Sequence, residues 1–488
     1  MNHRERVVDT NAVVEGQGTT EPSVVHALAF FPRGGSSQVE RELVRQLTAR
    51  FGWDVTLATG SEGRPGDASN AETFYAGAHV VSVDYTDSMA ANADPATILS
   101  PTQSSYEKRP DAKDRIMLEV EDPQYRRQVE DWKDAFRRAD IENASILHLN
   151  HLTPMNQAVI ELVEELHLTN LHVVGTLHGT EMLMLENYNQ GKLDHTPIAD
   201  EYVRRMNEWI RLYERIIVVS PAEIERAKKL FLTIPKQRFV VIAHGVDTDV
   251  FTPKEYSKDQ QREFWHSALV ARPRGQKPGD KPGSIVYSKE QIERLISTDP
   301  ERRPLLSLGR FTEVKDFRTL LQGYKLARDA NPGLPPLVIV GGHPSGEFED
   351  VHPWQFAQEI GLVDGEDFFL AGWYDHDDVP QFFQLASQFI MTSTRELFGL
   401  VAAEAMACGV PVITTRSGGP TRIVTDGKDG IHVDVAAPAQ VAEAMGQLFR
   451  DRVLYVAMRA AAIRTARRRF SWASKVGQID RLYRKLLG

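Results

Sequence analysis

Glu396 and Glu404 stand eight positions apart in STRELFGLVAAEAMACGVPVI, the segment of this 488-residue chain richest in potential chemistry. The β-rich run QFIMTS precedes them, and Gly409 and Pro411 close the alanine-rich stretch that follows. The pattern predicts a strand, a loop carrying Glu396, and a buried helix with Glu404 about two turns along it. Gly399 lets the backbone come close to a ligand, and the amides of Leu400 and Val401 open the helix. Such a terminus takes an anion, and carboxylates beside it accept hydrogen bonds from hydroxyls. The combination suits a ligand with both phosphate and sugar parts. The spacing alone is unspecific; its apolar frame and the order of the motifs upstream give it weight.

Other candidates also follow β-rich runs. Arg310 and Lys315 flank the loop after LLSLG, where two cations could neutralise a diphosphate through charge-assisted hydrogen bonds. Gly34–Gly35 comes after VVHALAFF and ahead of an amphipathic run, a place for phosphate to meet backbone amides. His178–Gly179–Thr180–Glu181 follows VVGTL, and His148 and His151 lie either side of Asn150 after SILHL. Asp375, His376, Asp377 and Asp378 form a tempting metal cluster, but cations already at Arg310 and Lys315 make a metal unnecessary. Cys408, in a small-residue helical run, reads as core rather than nucleophile.

The elements that must hold these residues alternate between short β-branched runs and helical patterns, as in doubly wound α/β domains. The length asks for two of them. The expected division is a flexible leader over 1–21, an N-terminal Rossmann-like domain over 22–243, and a linker with an exposed inserted loop over 244–300. A C-terminal Rossmann-like domain over 301–470 and a last helix over 471–488, packing back toward the N-terminal domain, complete it. The segment 85–140 is a second insertion, a solvated helical cover rich in both charge signs. In doubly wound domains ligands sit at the carboxyl ends of the strands; if those ends face each other, the site is the cleft between the domains.

Composition narrows the class. Hydrophobic residues make up 42% and charged residues 25%, values of an ordinary soluble protein. A net charge of −10 argues against nucleic acid and against stable binding to anionic membranes. The single cysteine fits a reducing cytoplasm, and no run reaches the ~18 apolar residues of a membrane span.

Taken in order, the glycine loop, HGTE, HGVDTDVF, GRFTEVK, the Glu396/Glu404 pair and DGKDG resemble the retaining family-4 glycosyltransferases. The resemblance runs from Val24 to Arg469 and is strongest from Leu305 to Asp434. It implies the GT-B architecture, two Rossmann-like domains facing across a cleft. It also implies that Arg310 and Lys315 hold the donor diphosphate while Glu396 bonds the hydroxyls of the transferred sugar. Gly309, Gly399, Leu400, Val401 and Trp373 would join the donor site, with Glu404 on the ribose and the Gly34–Gly35 loop closing from the other domain. His178 would lie near sugar and acceptor, with Tyr85, His151, Thr153 and Glu181 as acceptor contacts. His244 departs from the asparagine common at its place in the family.

The reaction so implied is transfer with retention, by front-face displacement, with no metal or other cofactor. The donor is a nucleoside-diphosphate sugar, UDP being more frequent among relatives than GDP. The acceptor is a small polar molecule, of the kind met in aminocyclitol, lincosamide or low-molecular-weight thiol biosynthesis; VERELVRQLTARF has no basic, aromatic-studded face for a membrane. A homodimer stays open. So do two other readings, a sugar-nucleotide epimerase of similar architecture and a noncatalytic sugar-nucleotide-binding protein.

Overall fold

Runs such as LVIVG and ILHLN are apolar at nearly every position, as strands covered on both faces must be. The computed structural model describes residues 22–32, 34–90, 101, 103–106, 115–342, 351–396 and 398–488. The expected leader 1–21 lies outside these, as do residues 91–100, 102 and 107–114 of the first insertion.

The first half contains β1 (Ser23–Leu28), β2 (Asp54–Ser61), β3 (His79–Asp84), a small pair β4 (Ser104–Ser105) and β5 (Arg115–Ile116), β6 (Ile146–Asn150), β7 (His172–Leu177), β8 (Arg215–Val218) and β9 (Phe239–Val241). All but the small pair form one parallel sheet in the order β3-β2-β1-β6-β7-β8-β9. The second half contains β10 (Leu305–Gly309), β11 (Leu337–Gly341), β12 (Phe368–Gly372), β13 (Gln388–Met391), β14 (Val412–Thr415) and β15 (Gly430–Val433). These form a parallel sheet in the order β12-β11-β10-β13-β14-β15. Each order reverses once, between β1 and β6 and between β10 and β13. A crevice opens at such reversals beyond the strand ends. The strand ends there are Leu28, Asn150, Gly309 and Met391, so the candidate residues fall at both.

The segment 254–300 differs from the exposed loop expected of it. Ser257 and Gln260 form a reciprocal cap on the helix Lys258–His266. Trp265, Leu269, Ile285, Tyr287, Ile292 and Leu295 are buried in the core of the second domain. The Tyr287 hydroxyl accepts from the Leu370 amide at 2.8 Å and donates to Asp364 at 2.8 Å. Arg274 bridges to Gly372 on the edge strand β12. The insertion thus covers an edge that would otherwise offer unpaired backbone groups. Its anchors are irregularly spaced, which is why no apolar period marks them.

The first insertion contributes the helix Asp122–Arg138, with Tyr125, Val129, Trp132 and Phe136 buried on its inner face and its arginines outside. The chain ends in the helix Trp472–Leu487, which leaves the second domain and packs on the first. Trp472, Val476, Ile479 and Tyr483 share a core with Val24, Leu43, Leu47 and Trp53, and the Trp53 indole donates to Asp480 at 2.9 Å. At this crossing the linker pairs in parallel with the start of that helix, Val246 opposite Ser471: the Val246 amide bonds the Phe470 carbonyl at 2.6 Å and the Trp472 amide bonds the Val246 carbonyl at 3.2 Å.

Candidate active site

On the second domain the chain leaves β13, forms the loop bearing Glu396, and enters the helix Leu400–Ala407 through Gly399 at φ 88°. The loop is pinned from behind. The Gly419 amide bonds the Glu396 carbonyl at 2.7 Å, and Gly418, at φ +65°, lies so close that a Cβ there would sit 2.1 Å from that oxygen. The first amides of any helix lack partners within it, so those of Leu400 and Val401 are available to a ligand.

Lys315 reaches the same place from the turn after β10. Its ammonium lies 2.5 Å from Glu396 Oε2, and its stem runs over Gly309, where a Cβ would stand 3.5 Å from it. Asp316, left-handed at φ 47°, turns the chain there and caps the next helix by accepting from the Thr319 amide. The exposed Arg310 has no carboxylate partner among the described residues. Cation, carboxylate and open helix terminus therefore converge on one spot.

Glu404 is buried on the same helix. One oxygen meets His376 Nε2 at 2.8 Å and the other has no partner. Burial is the largest single influence and opposes charge on His376, but the bond to Glu404 and the charges of Glu404 and Asp377 together raise the imidazole above its ordinary value. The Asp375–Asp378 run thus supplies a hydrogen-bond partner for Glu404. A cavity of about 810 Å³ opens between the domains, lined among others by Arg41, Phe74, Gly245, His376, Leu400 and Glu404. Arg41 also pairs with Asp377 across the cleft at 3.1 Å. Trp373 follows the edge strand β12, farther from the reversal, and its carbonyl accepts from Arg274 at 3.4 Å.

The first domain contributes a column of rings. His151 stacks on His178 at 4.3 Å, His178 on His244 at 5.6 Å, and His244 meets Phe398 edge-on at 5.3 Å. Phe398 directly precedes Gly399, so the column joins His178 to the helix terminus across the domain boundary. Burial, then neighbouring imidazoles, hold His178 well below the usual histidine range. Burial and then Lys475 bring His244 down to about 4. Both rings are neutral near pH 7.

Several expected contacts have other roles. Gly34 and Gly35 are the first turn of the helix Gly34–Phe51 rather than a loop, and a Cβ on Gly35 would meet nothing within 4 Å. Tyr85, expected as an acceptor contact, is buried against Gly60 and its hydroxyl donates to the Ala29 carbonyl at 3.0 Å. Glu181 is fully buried. It accepts from the His178 amide at 2.9 Å and from Thr180 at 3.2 Å, with His151 Nδ1 at 3.4 Å. Burial pushes its pKa up, but His151 and these hydrogen bonds bring it below the ordinary value. His151 and Thr153 also lie in the interior, with His151 Nε2 and Thr153 Oγ1 unpartnered. Glu40 and Asn150 are buried behind His178; Asn150, polar at the end of the buried run ILHLN, carried a signal, while Glu40 lies in the charged run QVERELVR and carried none.

Lys475 offers a separate test. It sits 8% exposed with its ammonium 5.6 Å from the Phe470 ring. Burial first, then Arg469, lower its pKa to about 8 from 10.5. A depressed lysine pKa means the folded state bears the cost of the charge below about 8 and sheds it as pH rises toward 10.5. Lys475→Met should raise unfolding free energy by roughly 1–3 kcal/mol at neutral pH, the gain shrinking above pH ~8. Urea unfolding at neutral and alkaline pH checks it, and an unchanged or lower stability at neutral pH contradicts it.

Comparison with known proteins identifies the family and the fold. The family described as Glycosyltransferase Family 4 matches residues 33–250, and that described as Glycosyl transferases group 1 matches residues 288–469. The chain belongs to the family-4, group-1 glycosyltransferases. Among curated relatives, the D-inositol 3-phosphate glycosyltransferase of Corynebacterium urealyticum is 34% identical over 56% of this chain and 56% of its own length. The mannosylfructose-phosphate synthase of Agrobacterium fabrum is 27% identical over 37% of this chain and 40% of its own. The chain thus spans about half the length, or less, of the curated relatives it matches.

Two solved structures share the fold over nearly the whole chain. Sucrose-phosphate synthase from Thermosynechococcus elongatus superposes with a TM-score of 0.60 at 19% identity, covering 96% of this chain and 99% of that one. Anabaena Alr3699/HepE, solved in complex with UDP, gives 0.59 at 15%, covering 95% and 100%. The architecture of this family-4 chain is GT-B. No helix among its described residues is long and apolar enough to cross a membrane.

Proposed function

We propose that this family-4 protein transfers a sugar from a nucleoside-diphosphate sugar to a small, soluble, polyhydroxylated acceptor, with retention of anomeric configuration. The observation that carries the reading is the convergence of Lys315, Glu396 and the helix terminus at Gly399 with the His178 column. Breaking a sugar–phosphate bond puts negative charge on the leaving diphosphate while the sugar becomes cationic. Lys315, Arg310 and the amides of Leu400 and Val401 are fixed positive groups aimed where that charge develops, and such groups supply the largest electrostatic term. Glu396, held by Lys315, is oriented toward the sugar hydroxyls. Glu404 offers its unpartnered oxygen to the ribose at the cavity between the domains.

In this reading no protein carboxylate attacks the sugar. Glu396 is committed to Lys315 and Glu404 to His376, so neither plays the nucleophile that retaining hydrolases use. The acceptor hydroxyl approaches the face the diphosphate leaves, and the departing phosphate oxygen takes its proton. UDP as carrier is supported by the complex of Alr3699/HepE with UDP. Relatives named for inositol 3-phosphate and mannosylfructose phosphate favour a small polar acceptor. Cytoplasmic residence and a role in secondary metabolism or thiol biosynthesis complete the proposal.

A screen of sugar nucleotides by thermal shift, followed by product NMR, tests it. The anomeric configuration of the donor should persist in the product, and turnover should survive EDTA because protein cations do the neutralising. Inversion at the anomeric carbon would overturn the front-face route; activity lost to EDTA and restored by a divalent ion would overturn metal independence.

A further inference from the structure

Behind His178 lies a buried chain of hydrogen bonds whose direction can be worked out donor by donor. Asn150 Nδ2 lies 3.1 Å from the Ala27 carbonyl and 3.0 Å from Glu40 Oε2. A carbonyl only accepts, so the amide nitrogen must face it, and Asn150 Oδ1 is left facing His178 Nε2 at 2.8 Å. That oxygen also only accepts. The proton of His178 therefore sits on Nε2.

The second arm has the same sense. Glu40 Oε1 accepts from His26 Nδ1 at 2.5 Å. With one proton on His26, at Nδ1, its Nε2 accepts from the Tyr483 hydroxyl at 3.1 Å. The Tyr483 oxygen accepts from His148 Nδ1 at 2.5 Å, and His148 Nε2 accepts from the Thr176 hydroxyl at 2.6 Å. Every donor in both arms points toward Glu40, and His26, Glu40, His148 and Asn150 are all at most 2% exposed. Burial holds His148 far below the usual histidine range, in keeping with its neutral form here. His151 and His244 cover the two faces of the His178 ring, so only its edge is left for a ligand. On that edge Nδ1 has no hydrogen-bond partner among the described residues.

We propose that Glu40 and Asn150 are positioning residues that hold His178 as its Nε2–H tautomer, so that Nδ1 is a bare acceptor offered to a substrate hydroxyl. This rests on the transferase reading above for the identity of the hydroxyl, which belongs either to the transferred sugar or to the acceptor. A neutral imidazole chooses its tautomer according to what its other nitrogen meets. Without the Asn150 oxygen both tautomers become populated, and part of the protein presents N–H to a hydroxyl that needs an acceptor. Glu40 acts one step further back by fixing which end of the Asn150 amide faces His178.

The test uses the full chain labelled with 15N-histidine, with His178 assigned by loss of its signals in His178→Gln. The wild-type Nδ1 should resonate as an unprotonated, pyridine-type nitrogen across neutral pH, and Nε2 as protonated. In Asn150→Leu the two nitrogens should move toward each other, and kcat/KM should fall about tenfold, the size of one hydrogen bond. Glu40→Gln, which keeps the shape, should move them in the same direction by less, and it carries the test if the leucine variant fails to fold. Adding the sugar nucleotide should shift Nδ1 if the hydroxyl is the donor's; a shift only on adding acceptor assigns it to the acceptor. A wild-type proton on Nδ1, or folded variants whose His178 nitrogens do not move, would overturn the proposal. Turnover failing with every donor would instead remove the transferase reading, while the spectra still decide the tautomer.

Discussion

Lys315→Met should lower kcat by about two to three orders of magnitude while leaving the melting temperature close to that of the parent. The side chain stands at the end of β10, 23% exposed, with its ammonium on Glu396. In the reaction proposed, that ammonium faces the oxygen on which charge grows as the sugar departs. Removing one such pre-aimed donor typically costs about 2.7–4 kcal/mol in transition-state stabilisation. The ion pair itself is partly solvated, and pairs of that kind contribute roughly 0–1 kcal/mol to folding. Steady-state kinetics alongside thermal unfolding separate the two effects. A variant that is as active as the parent, or inactive only because it unfolds, would take Lys315 out of the chemistry.

Glu396→Gln should lower kcat/KM by roughly 1.5–3 kcal/mol, that is about ten- to a hundredfold, again with little change in stability. Glutamine keeps the size of the side chain and removes the charge that both orients Lys315 and accepts from a sugar hydroxyl. The backbone of the loop does not depend on that charge, because the Gly419 amide bonds the Glu396 carbonyl. The loss should appear in turnover of donor and acceptor together, while free nucleoside diphosphate binds nearly as before. Calorimetry with UDP and kinetics on the same preparation give both numbers. Equal losses in UDP affinity and in kcat/KM would place Glu396 on the nucleotide instead of the sugar.

What the sequence revealed and what it hid follow from the range of the interactions concerned. The positions of Arg310, Lys315, Glu396 and Glu404 were legible because a strand followed by glycine and a helix is a local pattern. The parallel sheets put those strand ends on one side without further instruction. The partners of these residues were not legible. Lys315 meets Glu396 from 81 positions away, and His376 meets Glu404 only because the turn after β12 converges on the helix Leu400–Ala407. The burial of Tyr85 and Glu181 was hidden for a related reason. A polar residue just after a strand can face the cleft or fold back onto the backbone, and burial decides which. The insertion at 254–300 deceived through its composition, since prolines, glycines and lysines dominate ARPRGQKPGDKPG while the buried anchors lie on either side of it. Glu40 and His26 stand 14 positions apart, but Tyr483 joins them from 457 positions beyond His26, and no local window contains that meeting.

The crossing of linker and C-terminal helix carries a mechanical consequence. The chain passes between the domains twice, and at Val246 and Trp472 the two passages are stitched to each other by backbone hydrogen bonds. Two parallel seams at one edge of a cleft behave as a door on its pins, with swing about the line of the crossing and little freedom to twist or slide. The helix beyond the pin is sunk into the other leaf, because Tyr483 and Trp472 belong to the first domain's core. The His178–His244–Phe398 column ends beside Phe470 at those pins, so in any opening it travels least.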